Sequence, residues 1–255
     1  MATRRRTMLV SPHRWAIPVA AMLAVAACGD DGSSVPATVP IVAGDVLNAP
    51  TLGLAPHEIV ESTVTIRASG CPPTFALGTA SVVDDGLLLT AAHTVAGADQ
   101  VDVVRRGSDA VSAQVVWFDP GLDLAVLAAD TGDAKRIPLA SAVDHEATAG
   151  SIARIEDSAD GPVVFDVEIL RHVNIATTDV YRELEVTRPG FEVGVDVRRG
   201  DSGALITVDG VGVGVVWSRS TATDGRAWAV DLPATLADPA TRATLVEPVD
   251  NGRCI

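Results

Sequence analysis

The chain has 255 residues, 47% of them hydrophobic and 20% charged, enough for one sizeable globular domain or two small ones. Only 4% are aromatic, so a core has to be built from Val, Leu, Ile and Ala. The formal charge is −14, and residues 1–27 hold four arginines and no acid, leaving 15 basic against 33 acidic residues in the remainder; so acidic a surface, with no basic stripe, argues against a nucleic-acid partner.

At the N-terminus, Arg4, Arg5, Arg6 and Arg14 precede an apolar run from Trp15 to Ala27, 13 residues long and too short to span a bilayer comfortably. Small residues then lead to Cys28. Basic region, short apolar segment and small-residue end together read as a secretory signal over residues 1–27. The closing "VAAC" resembles the lipobox of bacterial lipoproteins, whose cysteine is lipidated and becomes the mature N-terminus. Cys28 is therefore expected to hold the exported protein to the extracytoplasmic face of the cell envelope. The alternative is an ordinary signal cleaved nearby, with Cys28 incidental. "RRTML" resembles a twin-arginine export motif, although "SPHR" separates it from the apolar run.

Residues 28–58 are rich in Gly, Pro, Ala and Asp without a regular period, the composition of a flexible tether. A folded domain is expected over residues 59–255. Its sequence is a succession of short β-branched runs: "VTIRA", "ASVV", "LLLT", "VDVV", "AQVVWF", "LAVLAA", "FDVEIL", "ELEVT", "FEVGVDV", "ALITV" and "VGVGVVW". "VVDDGLLL" has Asp-Gly between apolar runs, the chemistry of a tight hairpin, and "TRPGFE" and "VDGVG" read as further turns. Helical periodicity is confined to residues 232–245, where Pro239 interrupts a short terminal helix. Many short strands so spaced predict an all-β sandwich or barrels.

Acyl transfer by serine needs a base to take its proton and an acid to hold that base in the right tautomer. Of the five histidines, His13 lies in the signal, and His57, His145 and His172 lie in polar, loop-like settings. His93 ends "GLLLTAAH", where a strand runs into Ala91-Ala92, small enough for a tight turn to pack beneath an imidazole. Asp123 alternates with Leu122 and Leu124 in what reads as an apolar strand, where a carboxylate is costly unless paired. His93 is its obvious partner. Asp119, in "FDPG", competes for that role but has turn chemistry. Ser202 stands in "RRGDSGALI", a glycine-rich turn of a kind too common to decide anything alone.

"LLLTAAHTVAG", "GLDLAVL" and "RRGDSGALI", in this order, resemble the three signature segments of chymotrypsin-fold serine peptidases. The spacing is similar to that of compact bacterial enzymes of the HtrA and mycobacterial MarP kinds. The MarP-like resemblance runs from about Val60 to the C-terminus and includes "SGC", "TTDVY", "GVGVVW" and "EPVDNGRCI". It implies two six-stranded antiparallel β-barrels with the site between them, His93 and Asp123 coming from the first and Ser202 from the second. It also implies backbone N–H groups of Gly200 and Ser202 as the oxyanion hole, and a disulfide between Cys71 and Cys254, whose alternative is two unpaired thiols. "GVVWSR" would be the edge strand that pairs with substrate, with Trp217 either walling the pocket or buried in the core. The family pattern continues Gly-Pro after the serine, where this chain has Ala204-Leu205. MarP has several membrane spans, where this chain has a candidate lipid anchor. Asp196 stands six residues before Ser202, where trypsin-like enzymes carry the acid that selects Arg or Lys; its plainer reading is a strand residue paired with a neighbour or facing solvent. "IVAG" at 41–44 resembles the N-terminus freed in trypsin-type zymogens, but no Lys or Arg between Arg14 and Arg67 marks a cut there.

The expected function is an exported, lipid-anchored serine endopeptidase acting on protein or peptide substrates through an acyl-enzyme. It would need neither cofactor nor metal. The competing readings are a catalytically silent trypsin-fold lipoprotein that binds peptides or partner proteins, and an esterase-like activity on the same three residues.

Overall fold

The computed structural model describes residues 53–72, 75–141, 148–155 and 161–255. Cys28, the signal, most of the tether, "IVAG" and His145 lie outside the described residues. Twelve strands dominate: β1 (Thr63–Ser69), β2 (Phe75–Asp84), β3 (Leu87–Thr90), β4 (Gln100–Val104), β5 (Ala110–Asp119), β6 (Leu124–Ala128), β7 (Thr148–Ile155), β8 (Pro162–Thr178), β9 (Glu185–Gly194), β10 (Leu205–Val208), β11 (Val211–Arg219) and β12 (Arg226–Asp231). One barrel closes in the order β1-β2-β3-β6-β5-β4 and the other in the order β10-β11-β12-β9-β8-β7. All pairings between these strands are antiparallel. The expected pair of six-stranded barrels is therefore the observed architecture.

Each barrel buries its own apolar interior, and a third cluster fills the layer between them. This layer explains strands that do not alternate. In β3, Leu88 points into the first barrel while Leu87 and Leu89 face the seam; in β6, Ala125 and Leu127 point inward while Leu124 and Val126 face the seam. Both faces are dry, so the sequence reads as continuous apolar runs. Ile59, Leu232 and Leu236 join the seam from outside the barrels.

Asp85-Gly86 and Asp209-Gly210 form the β2–β3 and β10–β11 hairpins, as Asp-Gly between apolar runs predicts. "TRPGFE" does not turn; it lies inside β9. Gly190 is the last β9 residue paired with β12, and Pro189 beyond it pairs with β8 alone, so its missing N–H leaves no ladder bond unmade on the other side. "FEVGVDV" stops being strand at Gly194, and His172, which reads as a loop residue, lies in β8 edge-on to Phe191. The terminal helix is two single turns, α3 (Ala234–Ala237) and α4 (Pro239–Arg242). Pro239 opens the second turn rather than interrupting one, capped by the Asp238 side chain. Two further short helices are α1 (Pro56–Glu61) and α2 (Ala92–Val95). Just before α1, the Leu54 N–H donates to the Gly210 carbonyl.

The C-terminal segment runs back beneath α2. Asn251 Nδ2 donates to the carbonyls of Val95 and Ala98 at 2.7 and 3.1 Å, and its own carbonyl accepts from Gly97 N–H. A disulfide joins Cys71 to Cys254, closing a sequence separation of 183 residues. A digest made without reductant is expected to yield one linked peptide pair containing both cysteines. Replacing both by serine should lower stability in urea by about 2–4 kcal/mol. Unchanged stability would mean that the tail is held by its hydrogen bonds alone.

Candidate active site

α2 follows β3 after a tight corner in which Ala91 and Ala92 are fully buried and Thr90 Oγ1 donates to the Thr79 carbonyl. This corner aims His93 at Asp123. Asp123 accepts from the His93 backbone N–H at 2.8 Å, and its two oxygens lie 3.0 and 2.9 Å from Nδ1. An ionised carboxylate can only accept, so Nδ1 carries the ring proton and Nε2 presents its lone pair.

Asp123 is not inside a strand. It is the last residue of the turn before β6, with φ 63°, and its carbonyl accepts from Ala92 N–H. Aspartate tolerates this left-handed conformation better than most residues. Asp119 builds the turn: its Oδ1 accepts from Leu122 N–H at 2.8 Å. The second barrel holds the same turn from the other side, since Val180 N–H donates to the Pro120 carbonyl.

The sequence reading missed Arg188 altogether. Its side chain, 2% exposed, projects from β9 with Nη1 3.7 Å from Asp123 Oδ2. Nε–H donates to the Gly121 carbonyl at 2.7 Å and Nη2–H to the Thr178 carbonyl at 2.9 Å. The guanidinium lies 4.5 Å from the centre of the Trp217 ring, so that indole is both a pocket wall and a cover for a buried cation. Burial pushes the Arg188 pKa down, against the pull of Asp123, Asp119 and Asp179. Arginine nevertheless stays charged.

Ser202 sits on a loop tied to both barrels. Thr79 of β2 donates from Oγ1 to the Gly200 carbonyl at 2.7 Å and from its N–H to the Ser202 carbonyl at 2.8 Å, while Gly203 N–H donates to Val216 of β11. At Gly203, φ is 89°, and a Cβ would stand 2.1 Å from the Thr79 carbonyl oxygen, so only glycine lets the loop approach β2. Gly200 has φ 97°, and among the described residues neither its N–H nor that of Ser202 donates elsewhere. Ala204 avoids positive φ, is buried, and keeps an N–H bond to Asp201 that proline would forfeit.

Asp201 turns inward, 2% exposed, accepting from Arg198 N–H at 2.7 Å and pairing with Arg154 Nη1 of β7 at 3.3 Å. Burial pushes the Asp201 carboxyl up, opposed by the Arg198 N–H and by Arg154. Arg154 also donates to the Asp196 carbonyl, fixing the segment that leads from β9 into the loop. The Asp196 side chain faces solvent and is not among the walls of the pocket beside Ser202. Beyond Val216, β11 has a strand partner on one side only, leaving the edge of residues 217–219 open.

His93 and Ser202 line one cleft of about 510 Å³, with Gly200, Arg199, Phe75 and Leu77 around them. Among the described residues, no cluster of three or more His, Cys, Asp or Glu side chains is arranged to hold a metal ion. The arrangement offers a hydroxyl, a correctly held imidazole and two unused N–H groups at one solvent-open place.

Replacing Arg188 with Met would strip the buried Asp123 of its nearest cation and leave the Gly121 and Thr178 carbonyls without donors. Unfolding in urea, followed by tryptophan fluorescence, should show a loss of about 3–5 kcal/mol. Arg188→Lys should fall between, because it retains the charge but not the fork. A fully stable Arg188→Met protein would show that the seam does not rely on this cation.

The profile of the trypsin-like peptidase domain matches residues 78–215. The serine protease Rv3671c (MarP) of Mycobacterium tuberculosis is 29% identical over 181 residues, covering 70% of this chain. The match covers 45% of that protein, so the chain spans under half of its relative's length. The crystal structure of the Rv3671c protease in its active form aligns with a TM-score of 0.67 at 24% identity, over 78% of this chain and 87% of the other. The HtrA-type protease AlgW, solved with a tripeptide, aligns with a TM-score of 0.57 at 22% identity, over 69% and 57% of the two chains. These two structures support the chymotrypsin-like fold. With more than half of its length in the domain match, the chain belongs to the trypsin-like peptidase domain family.

Proposed function

We propose that the protein is a serine endopeptidase, exported and held at the cell envelope by a lipid on Cys28. The observation that carries the catalytic part is the His93 imidazole fixed on Asp123 at 2.9 Å in the same cleft as Ser202. Ser202 Oγ attacks the scissile carbonyl carbon while His93 Nε2 takes its proton. The carbonyl π electrons move onto oxygen, and the Gly200 and Ser202 N–H groups receive the developing charge. Collapse of the tetrahedral intermediate breaks the C–N bond, and His93 returns the proton to the leaving amine. Water, activated by the same imidazole, then releases the acyl group and regenerates the Ser202 hydroxyl. Asp123 stays ionised throughout and stabilises the imidazolium. The open edge of β11 suits an extended substrate backbone added as a strand.

A fluorophosphonate probe is expected to label the wild type at Ser202. Ser202→Ala should lose both labelling and peptide hydrolysis with almost no change in stability, since only a hydroxyl on a half-buried loop is removed. His93→Ala should lose nearly as much, and Asp123→Asn somewhat less, because the oxyanion donors survive. A folded wild type that resists the probe would favour the silent, peptide-binding reading.

The anchor has its own test. Cys28→Ser should abolish incorporation of a fatty-acid analogue and release the protein from membranes, with hydrolysis unchanged. Absence of label in the wild type would remove the lipid from the proposal.

A further inference from the structure

The pocket beside Ser202, about 440 Å³, has apolar walls in Val197, Val216 and Trp217 and three arginines in its lining, Arg198, Arg199 and Arg219. Its single carboxylate, Asp201, is already committed to Arg154 and to the Arg198 N–H. The Arg198 charge also favours the ionised form of Asp201. Arg199 and Arg219 differ from it. Both side chains are exposed, and among the described residues neither makes an ion pair or hydrogen bond. Arg199 also lines the cleft that holds His93 and Ser202, so it stands where the two spaces meet at the nucleophile. Two such arginines lining one pocket whose single carboxylate is already paired make that pocket locally positive.

From this we infer that the pocket selects peptides with an acidic side chain, glutamate above all, on the acyl side of the scissile bond, with Arg199 and Arg219 as specificity-determining residues; the inference rests on the peptidase reading above. The methylene stem of a glutamate would pack on Val216 and Trp217, and its carboxylate would meet guanidinium forks suited to bidentate pairing. A lysine or arginine in its place would find no uncommitted carboxylate in the lining. Asp196, exposed and outside the walls, offers no counter-charge at the pocket base.

The test uses fluorogenic peptides that differ only in the residue before the cleaved bond: Glu, Gln or Lys. With wild-type protein the Glu peptide should exceed the Gln peptide in kcat/KM by roughly tenfold, the Lys peptide should be poorest, and the Glu preference should shrink as salt rises from about 0.15 M to 1 M. The double variant Arg199→Glu, Arg219→Glu should reverse the order toward Lys, read as the ratio of kcat/KM between the peptides on one preparation, whatever its absolute rate. Wild-type protein that takes the probe but cleaves Gln or Lys peptides as well as Glu would overturn this inference and leave the peptidase reading standing. So would a double variant that keeps its preference for Glu. A wild type that refuses the probe would overturn both readings. If the double variant fails to fold, the salt dependence of the wild-type Glu-to-Gln ratio decides alone: a ratio near one, or one indifferent to salt, sinks the idea.

Discussion

Arg188 carries a positive charge into the seam between the barrels, where 2% of its side chain meets solvent and Asp123 lies 3.7 Å away. Placing a guanidinium there is unfavourable unless every donor finds an acceptor and the charge finds a partner. The Gly121 and Thr178 carbonyls, the Asp123 carboxylate and the Trp217 ring meet that demand together. Gly121 and Asp123 belong to the first barrel and Thr178 and Trp217 to the second. The two halves are thereby tied at the residue that fixes the His93 tautomer. If the barrels slid past one another, the arginine would be unpaired and the imidazole misaimed in a single step.

The Ser202 loop obeys the same logic with the roles exchanged. Here the buried anion is Asp201 and the cation is Arg154, and the loop gains its shape because a carboxylate pulled indoors must be satisfied. Thr79, from the first barrel, then bonds the carbonyls of Gly200 and Ser202. The peptide N–H groups beyond those carbonyls, of Asp201 and Gly203, donate to Arg198 and Val216, so every second peptide of the loop is held and the Gly200 and Ser202 N–H groups are left for the cleft. The positive charge that steadies this loop comes from β7 itself.

Much of this was legible in advance, and the parts that were not share one cause. His93, Ser202 and Gly200 lie in short contiguous segments, small alanines before a tight corner and glycines around a serine, but it is the order of the three segments and their resemblance to a known family that single them out. The density of short β-branched runs leaves a sandwich and barrels open, and the family resemblance decides for two barrels. Asp123 was misplaced in a strand because Leu122 to Leu127 alternates well, and only its φ of 63° and the Asp119 bond reveal the turn. Arg188 was hidden inside "TRPGFE", where Pro-Gly imitates a turn. A signal was present nonetheless: Arg188 shares the inward face of β9 with Gly190, which marks it as a charge directed indoors. Arg154 beside Ile152 and Ala153 in "SIARI" is similar. Neither position names its partner, because that partner arrives from a distant part of the chain.

That distance has a consequence in time. The His93 corner is braced by Asn251 and by a bridge at Cys254, the Asp123 turn by Arg188, and the Ser202 loop by Thr79 and Arg154. Ordering one corner of the cleft therefore requires residues from the beginning, the middle and the last few positions of the domain to be in place. Contacts this far apart in sequence form late, after the local hairpins. A chain in which these contacts have not yet formed holds the pieces without the arrangement. Under the peptidase reading, the cleft would become reactive only after the chain's own strands are covered.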